Sequence, residues 1–152
     1  MNRQMSLMGV GGKIAIILLI AVITTAGISY WCKHLFTITS HYQQLIPIAV
    51  VMAIVGFSLN LLAAISMIRA HRKGQLATGG FYALFLHPMY TFQLLITVPG
   101  LLLLFNSWLV LLSIIPAFMA CKAFAKEEEQ YLEDRFGDQY NEYKRRVLLR
   151  FL

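Results

Sequence analysis

The chain is 152 residues long, 59% hydrophobic and only 13% charged, with a net charge of +6. So apolar a composition excludes an ordinary soluble domain and marks an integral membrane protein organised as one domain over residues 1–152. The basic excess fits juxtamembrane Lys and Arg, not nucleic-acid binding.

A helix needs about 20 apolar residues to cross roughly 30 Å of hydrocarbon, and four segments meet that demand, at about 14–31, 45–68, 88–105 and 108–125. Arg3 and Lys13 ahead of the first resemble the flank of a signal peptide. The apolar run continues through Gly27, Ile28, Tyr30 and Trp31 with no small-x-small cleavage site, so it reads as a span ending in interfacial aromatics. The second span carries Ala53, Gly56, Ser58, Ala63 and Ala64, which allow close helix packing, and one strongly polar residue, Asn60, read as a packing contact. Asn106 and Ser107 divide the last two spans, because short polar side chains bond to nearby backbone and favour a turn. The predicted fold is therefore all-α, with a tight hairpin of the last two spans. Lys and Arg concentrate at 69–73 and beyond Lys122, whereas the loop from Lys33 to Gln44 holds only Lys33, so both termini are expected to be cytoplasmic. In a bacterium this would be the inner membrane, in a eukaryote the endoplasmic reticulum. Cys32 and Cys121 lack metal spacing and read as ordinary thiols; no metal is expected.

All seven acids, Glu127, Glu128, Glu129, Glu133, Asp134, Asp138 and Glu142, follow residue 126. A carboxylate at the centre of a membrane helix costs roughly 2.5–3.5 kcal/mol, so the acid-free body reads as embedded and the tail, 126–150, as its polar face. Tyr131, Leu132 and Phe136 form an apolar stripe, Gly137 is a stop, and Asp138 is expected to cap a further helix with Tyr140, Tyr143 and Val147 at spacings of three and four. These helices are expected along the interface, with Arg145, Arg146 and Arg150 toward anionic headgroups. Tyr140 and Tyr143 suit either a membrane-facing stripe or the cover of a ligand.

The segment Gly79–Tyr90 leads directly into the third span, with Pro88 in its first turn, where a missing N–H costs nothing. A hairpin that goes out and comes back returns Glu127, Glu128 and Glu129 to the end at which His87 starts. A histidine at a helix start is by itself often a packing residue, and a glutamate run is often a solvated face. Topology nevertheless makes them neighbours.

At these residues the chain resembles a family. Gly80 to Tyr90, an apolar hairpin, Glu128-Glu129, then Arg135 to Val147 are similar to the C-terminal half of the isoprenylcysteine carboxyl methyltransferase and phospholipid methyltransferase group, over about residues 76–150. The resemblance implies a membrane enzyme that uses S-adenosylmethionine. It puts His87, Pro88 and Tyr90 on the family's His-Pro-x-Tyr, and Glu128 with Glu129 on its acidic pair. Tyr82 falls on an aromatic that precedes the motif, and Tyr140, Tyr143 and Arg146 fall on a tail that folds over the cofactor. His87 and Arg146 are the implied catalytic residues; His87, Pro88, Tyr90, Glu128, Glu129, Tyr82, Tyr140 and Tyr143 are the implied cofactor contacts. Leu86 and Leu148 stand where the family has arginine and proline, and Phe92 where a small residue is common.

The residue types suit that chemistry. The cofactor's amino group and ribose call for acceptors such as Glu128 or Glu129, and its carboxylate for donors such as His87, Tyr90 or a tail arginine. Methyl transfer depends largely on alignment of acceptor, methyl and sulfur; an amine acceptor would also need a base, His87 or a glutamate. The expected acceptor is a lipidic or apolar molecule reached from the bilayer. A member that binds a ligand or partner without turning it over is the alternative, motivated by Leu86 and Leu148. A small transporter fits poorly, since no carboxylate occurs before Glu127.

Overall fold

The computed structural model describes residues 9–150. Among them the chain forms α1 (Gly9–Trp31), α2 (Lys33–Phe36), α3 (Tyr42–Arg72), α4 (Phe81–Leu84), α5 (Pro88–Phe92), a π turn (Gln93–Thr97), α6 (Val98–Leu103), α7 (Trp108–Leu111), α8 (Ile114–Phe136) and α9 (Asp138–Arg146). The protein is all-helical, its described residues adding two isolated bridges, Thr37 with Ser107 and Phe85 with Leu149. Three helical stretches, Gly11–Trp31, Tyr42–Arg72 and Trp108–Phe136, are long and apolar enough to cross a membrane. Pro88–Leu103 is apolar but shorter, about 24 Å at 1.5 Å per residue.

Two prolines shape the shorter rod and its return. Pro99 has no N–H to give the carbonyl of Leu95, and the helix widens into the π turn just before it. Thr97 uses its hydroxyl to close that turn, donating to the Phe92 carbonyl at 3.3 Å. Pro116 likewise cannot bond the Leu112 carbonyl, and the helix breaks at Leu112–Ser113 between α7 and α8. The expected unbroken run 108–125 is thus interrupted near its start. At its other end α8 carries straight on through Lys126 into the charged tail as one helix.

α3 packs against the α5–α6 rod through small residues. Ala49, Gly56 and Ala63 are buried at intervals of seven, the repeat of a helix seam. A Cβ on Gly56 would lie 2.3 Å from Thr97 Oγ1 and 2.8 Å from its backbone nitrogen, and one on Gly100 would lie 2.7 Å from Met52 Cβ. Such contact lets Asn60 Nδ2 reach Thr97 Oγ1 at 3.1 Å. α1 lies against α7 and α8, with Ile14 beside Leu94, Ala117 and Cys121. Elsewhere the helices turn Ile16, Leu19, Ile23, Val51, Ile54 and Leu61 outward, the surface expected against hydrocarbon.

The far end is tied by polar contacts. Asn106, at φ 49°, a backbone region that asparagine tolerates better than most residues, donates Nδ2 to the Thr39 carbonyl at 2.8 Å and accepts from the Thr39 N–H at 3.2 Å. Ser29 Oγ donates to Ser107 Oγ at 2.8 Å, and Trp108 Nε1 to the Leu35 carbonyl at 3.0 Å. The turn 104–107 and the 33–41 loop therefore share one end of the molecule. The segment 73–87 and the C-terminal half of α8 occupy the other.

Candidate functional site

At that second end, three backbone devices bring separate pieces of chain together. Gly80, at φ 62°, precedes α4, and His87 occupies the N-cap position of α5 with Pro88 following. Gly137, at φ 53°, ends α8 and starts α9 in a reversed direction; a side chain would be strained at this φ. Asp138 is not the cap expected of it: Gly137 takes the N-cap position, and Asp138 is the first helical residue, where a carboxylate favours the positive end of the helix dipole. Beyond α9 the chain is stitched to the loop before His87, with Leu149 N–H to the Leu84 carbonyl at 2.9 Å and Leu86 N–H to the Leu149 carbonyl at 3.2 Å.

The result is a cavity of about 330 Å³ with Tyr82, His87, Pro88, Tyr90, Glu128, Tyr140 and Tyr143 in its wall. His87 is buried, and its backbone carbonyl accepts from both Thr91 N–H, 3.0 Å, and Thr91 Oγ1, 2.9 Å. Its Nε2 lies 3.3 Å from Glu129 Oε1; an ionised carboxylate only accepts, so the imidazole donates through Nε2. Glu129 Oε2 is held by the Lys144 ammonium of α9. The His87 hydrogen bond, opposed by burial and reinforced by Lys144, pulls the Glu129 carboxyl from 4.5 down to about 2. Both oxygens of Glu129 are thereby engaged.

Glu128 differs. Tyr90 donates its hydroxyl to Glu128 Oε2 at 3.0 Å, and among the described residues Oε1 has no protein partner. Glu128 faces the cavity, whereas Glu129 lies behind it. Tyr140 is fully buried, in a cluster with Leu86, Tyr143 and Val147, and its hydroxyl is the one buried side-chain polar atom without a hydrogen-bond partner among the described residues. Burial, with Glu129 next, holds that hydroxyl well above the ordinary tyrosine range, so it is protonated and able to donate. An orphan hydroxyl beside a cavity is a group that a polar ligand would satisfy.

The tail tyrosines are thus interior residues, not a membrane-facing stripe. Tyr143 donates to the Phe85 carbonyl at 3.5 Å. Leu86 is buried against both tyrosines. Phe92 packs edge to face on Phe81 and Phe85, with ring centroids 4.9 and 5.4 Å away. Arg146 is not brought to the cavity: it is 79% exposed and pairs with Glu142 at 3.6 Å along α9. Sequence reasoning missed Lys144, the latch on Glu129, since a lysine among Tyr143, Arg145 and Arg146 carries no local mark of it. Among the described residues no group of three or more His, Cys, Asp or Glu could hold a metal ion.

A second, apolar groove of about 250 Å³ runs between α1, the α5–α6 rod and α8. Ile14, Leu18, Val22, Leu94 and Val98 line it, and it shares Gly11, Tyr90 and Gln93 with the polar cavity.

A helical membrane protein with a tyrosine-walled cavity at one end, into which Glu128 and His87 bring polar groups among apolar side chains, and an apolar groove opening beside it is the class that fold and site define. The profile of the phospholipid methyltransferase family matches residues 22–139, and the chain belongs to that family. No curated protein and no solved structure gives a significant match.

Proposed function

We propose that the protein is an S-adenosylmethionine-dependent methyltransferase acting on a lipidic or apolar acceptor, with four membrane crossings and both termini on the cytoplasmic side. The observation that carries this reading is the adjacency of two cavities, one holding Glu128, His87, Arg135 and several tyrosines among apolar side chains and the other lined almost wholly by apolar ones, with Tyr90 and Gln93 on their shared wall. A water-soluble co-substrate and a membrane-soluble one would need such a pair of approaches, meeting at the interface and not at the midplane. On this reading Pro88–Leu103 crosses as a short, π-widened span.

The residues of the polar cavity fit the co-substrate. Glu128 Oε1 would accept from its amino group or ribose hydroxyls, and Tyr140 would donate its unpartnered hydroxyl. When bound, S-adenosylmethionine supplies an electrophilic methyl group. His87, fixed by Glu129 at Nε2 and by its own carbonyl to Thr91, holds the wall rigid, so that the acceptor can be aligned. Lys144 on Glu129 draws α9 over the cavity and excludes water. Tyr82 and Tyr143 complete an aromatic lining suited to a purine. Arg146, on the outer face of α9, is better suited to a headgroup contact than to catalysis.

Transfer of a labelled methyl group from S-adenosylmethionine to a lipid extract by the purified protein tests the reading, together with calorimetric binding of the co-substrate. Saturable binding and label in the organic phase are the expected results. Absence of binding at millimolar concentration would overturn it; binding without transfer to any lipid or apolar acceptor would favour a ligand-binding role.

A further inference from the structure

The wall of the tyrosine-lined cavity includes a charged side chain, Arg135, to which the proposed function gives no role. α8 presents Glu128, Tyr131, Leu132, Arg135 and Phe136 to it, a stripe at helical spacing in which Glu128 and Arg135 are two turns apart, about 10 Å. Glu128 is the only carboxylate in the described wall and Arg135 the only arginine or lysine, beside the imidazoles of His71 and His87. The wall therefore carries an acceptor beside Tyr90 and, two turns further along α8, an exposed donor fork.

Arg135 is oriented for this position. Its Nη1 donates to the Tyr131 hydroxyl at 3.1 Å, and its guanidinium lies 5.3 Å from the centroid of the Phe136 ring. It pairs with no carboxylate among the described residues, although Glu133 and Asp134 are its sequence neighbours. Glu133 is taken by Asn141 Nδ2 at 3.2 Å. The remaining N–H groups of the guanidinium can thus serve an anion at the cavity mouth. Among the described residues no arginine or lysine comes from the opposite wall, which brings the imidazole of His71 and, at position 86, a leucine packed against Tyr140, Tyr143 and Val147.

We propose that Arg135 is a specificity-determining residue that binds the carboxylate of an amino-acid-bearing ligand, here the methionine carboxylate of S-adenosylmethionine, while Glu128 takes the cationic or hydroxyl-bearing part of the same molecule. The proposal rests on the methyltransferase reading and adds to it the side chain that reads the anionic end. Planar N–H pairs match a carboxylate in two parallel bonds, so a lysine, which keeps the charge but not the fork, serves less well.

The test is calorimetric binding of three probes, S-adenosylmethionine, S-adenosylhomocysteine and decarboxylated S-adenosylmethionine, to the wild-type protein, Arg135→Ala and Arg135→Lys. The alanine variant is expected to bind the two carboxylate-bearing probes about tenfold or more weakly, the scale of a charge-assisted hydrogen bond. It should bind the decarboxylated probe within about twofold of wild type, which also shows that the variant is folded. The lysine variant should fall between. Equal affinity of wild type and Arg135→Ala for S-adenosylmethionine would overturn the proposal, as would the same loss for all three probes. Failure of the wild-type protein to bind any probe would overturn the underlying methyltransferase reading, and the proposal with it.

Discussion

Glu129→Gln is the most informative single change, because it keeps the shape of the side chain while removing the charge that His87 and Lys144 share. The carboxyl is drawn from 4.5 to about 2, which corresponds to about 3 kcal/mol of preference for the ionised form. Lys144 is 36% exposed, and solvent screening reduces what such a pair contributes; we expect about 1–2 kcal/mol of stability to depend on the charge at neutral pH. A carboxyl whose folded-state value is depressed gives stability that is fully present above its unfolded value, 4.5, and lost as pH falls toward about 2. The assay is the thermal midpoint of the detergent-solubilised protein at several pH values between 7 and 2.5, wild type against Glu129→Gln. The variant should melt lower at pH 7, and the gap should narrow through the window from about 4.5 to about 2. Hydrogen exchange should locate the loss in α9 and around His87, both of which Glu129 holds to α8. A gap that does not change with pH, or no gap at neutral pH, would refute the argument that the charge latches α9.

Glu128→Gln, by contrast, leaves Glu129 intact and should weaken S-adenosylmethionine binding about tenfold or more with little change in thermal midpoint; unchanged affinity would remove Glu128 from the site. Tyr140→Phe deletes a hydroxyl that has no partner among the described residues, so stability should be unchanged or slightly raised while ligand affinity falls, and a destabilisation above about 1 kcal/mol would mean that the hydroxyl is satisfied in the folded protein. Gly56→Ala sets a methyl group against the Thr97 backbone and should cost about 1–3 kcal/mol by overpacking, read as a lowered thermal midpoint; a neutral result would show that α3 and the α5–α6 rod are not in such close contact. Arg146→Ala touches an exposed pair and should change stability by less than about 0.5 kcal/mol and methyl transfer by less than about threefold, whereas a large loss of transfer with intact binding would restore the catalytic role that the family resemblance suggests.

Much of the candidate site could be read along the chain because it rests on local marks: His87-Pro88 at a helix start, Glu128-Glu129 after an apolar helix, Gly137 between two charged helices. The fold brings the first two sets to one end, where His87 and Glu129 are 3.3 Å apart. Which of two adjacent glutamates faces the cavity was not legible, since neighbouring residues on a helix differ by about 100° in direction and only packing fixes which direction is inward. Lys144, Arg135 and the burial of Tyr140 and Tyr143 were hidden for a similar reason. The Lys144 and tyrosine contacts depend on α9 turning back over α8 and on Leu149 bonding to Leu84 and Leu86, contacts between residues far apart in sequence, and the place of Arg135 depends on which face of α8 meets the cavity.

The sequence by itself determined the helical class, the membrane character and the family, because apolar runs and ordered motifs are properties of the chain read one residue after another. The breaks in the rods follow locally from the carbonyls that Pro99 and Pro116 cannot bond, whereas tertiary structure alone decided how closely the rods pack, through the room Gly56 gives to Thr97. It also divided the acidic cluster. Glu129 is bound on both sides as a latch, Glu128 in the cavity wall keeps one oxygen without a partner among the described residues, and Arg146 lies outside, because the direction of α9 sets which of its faces meets the site.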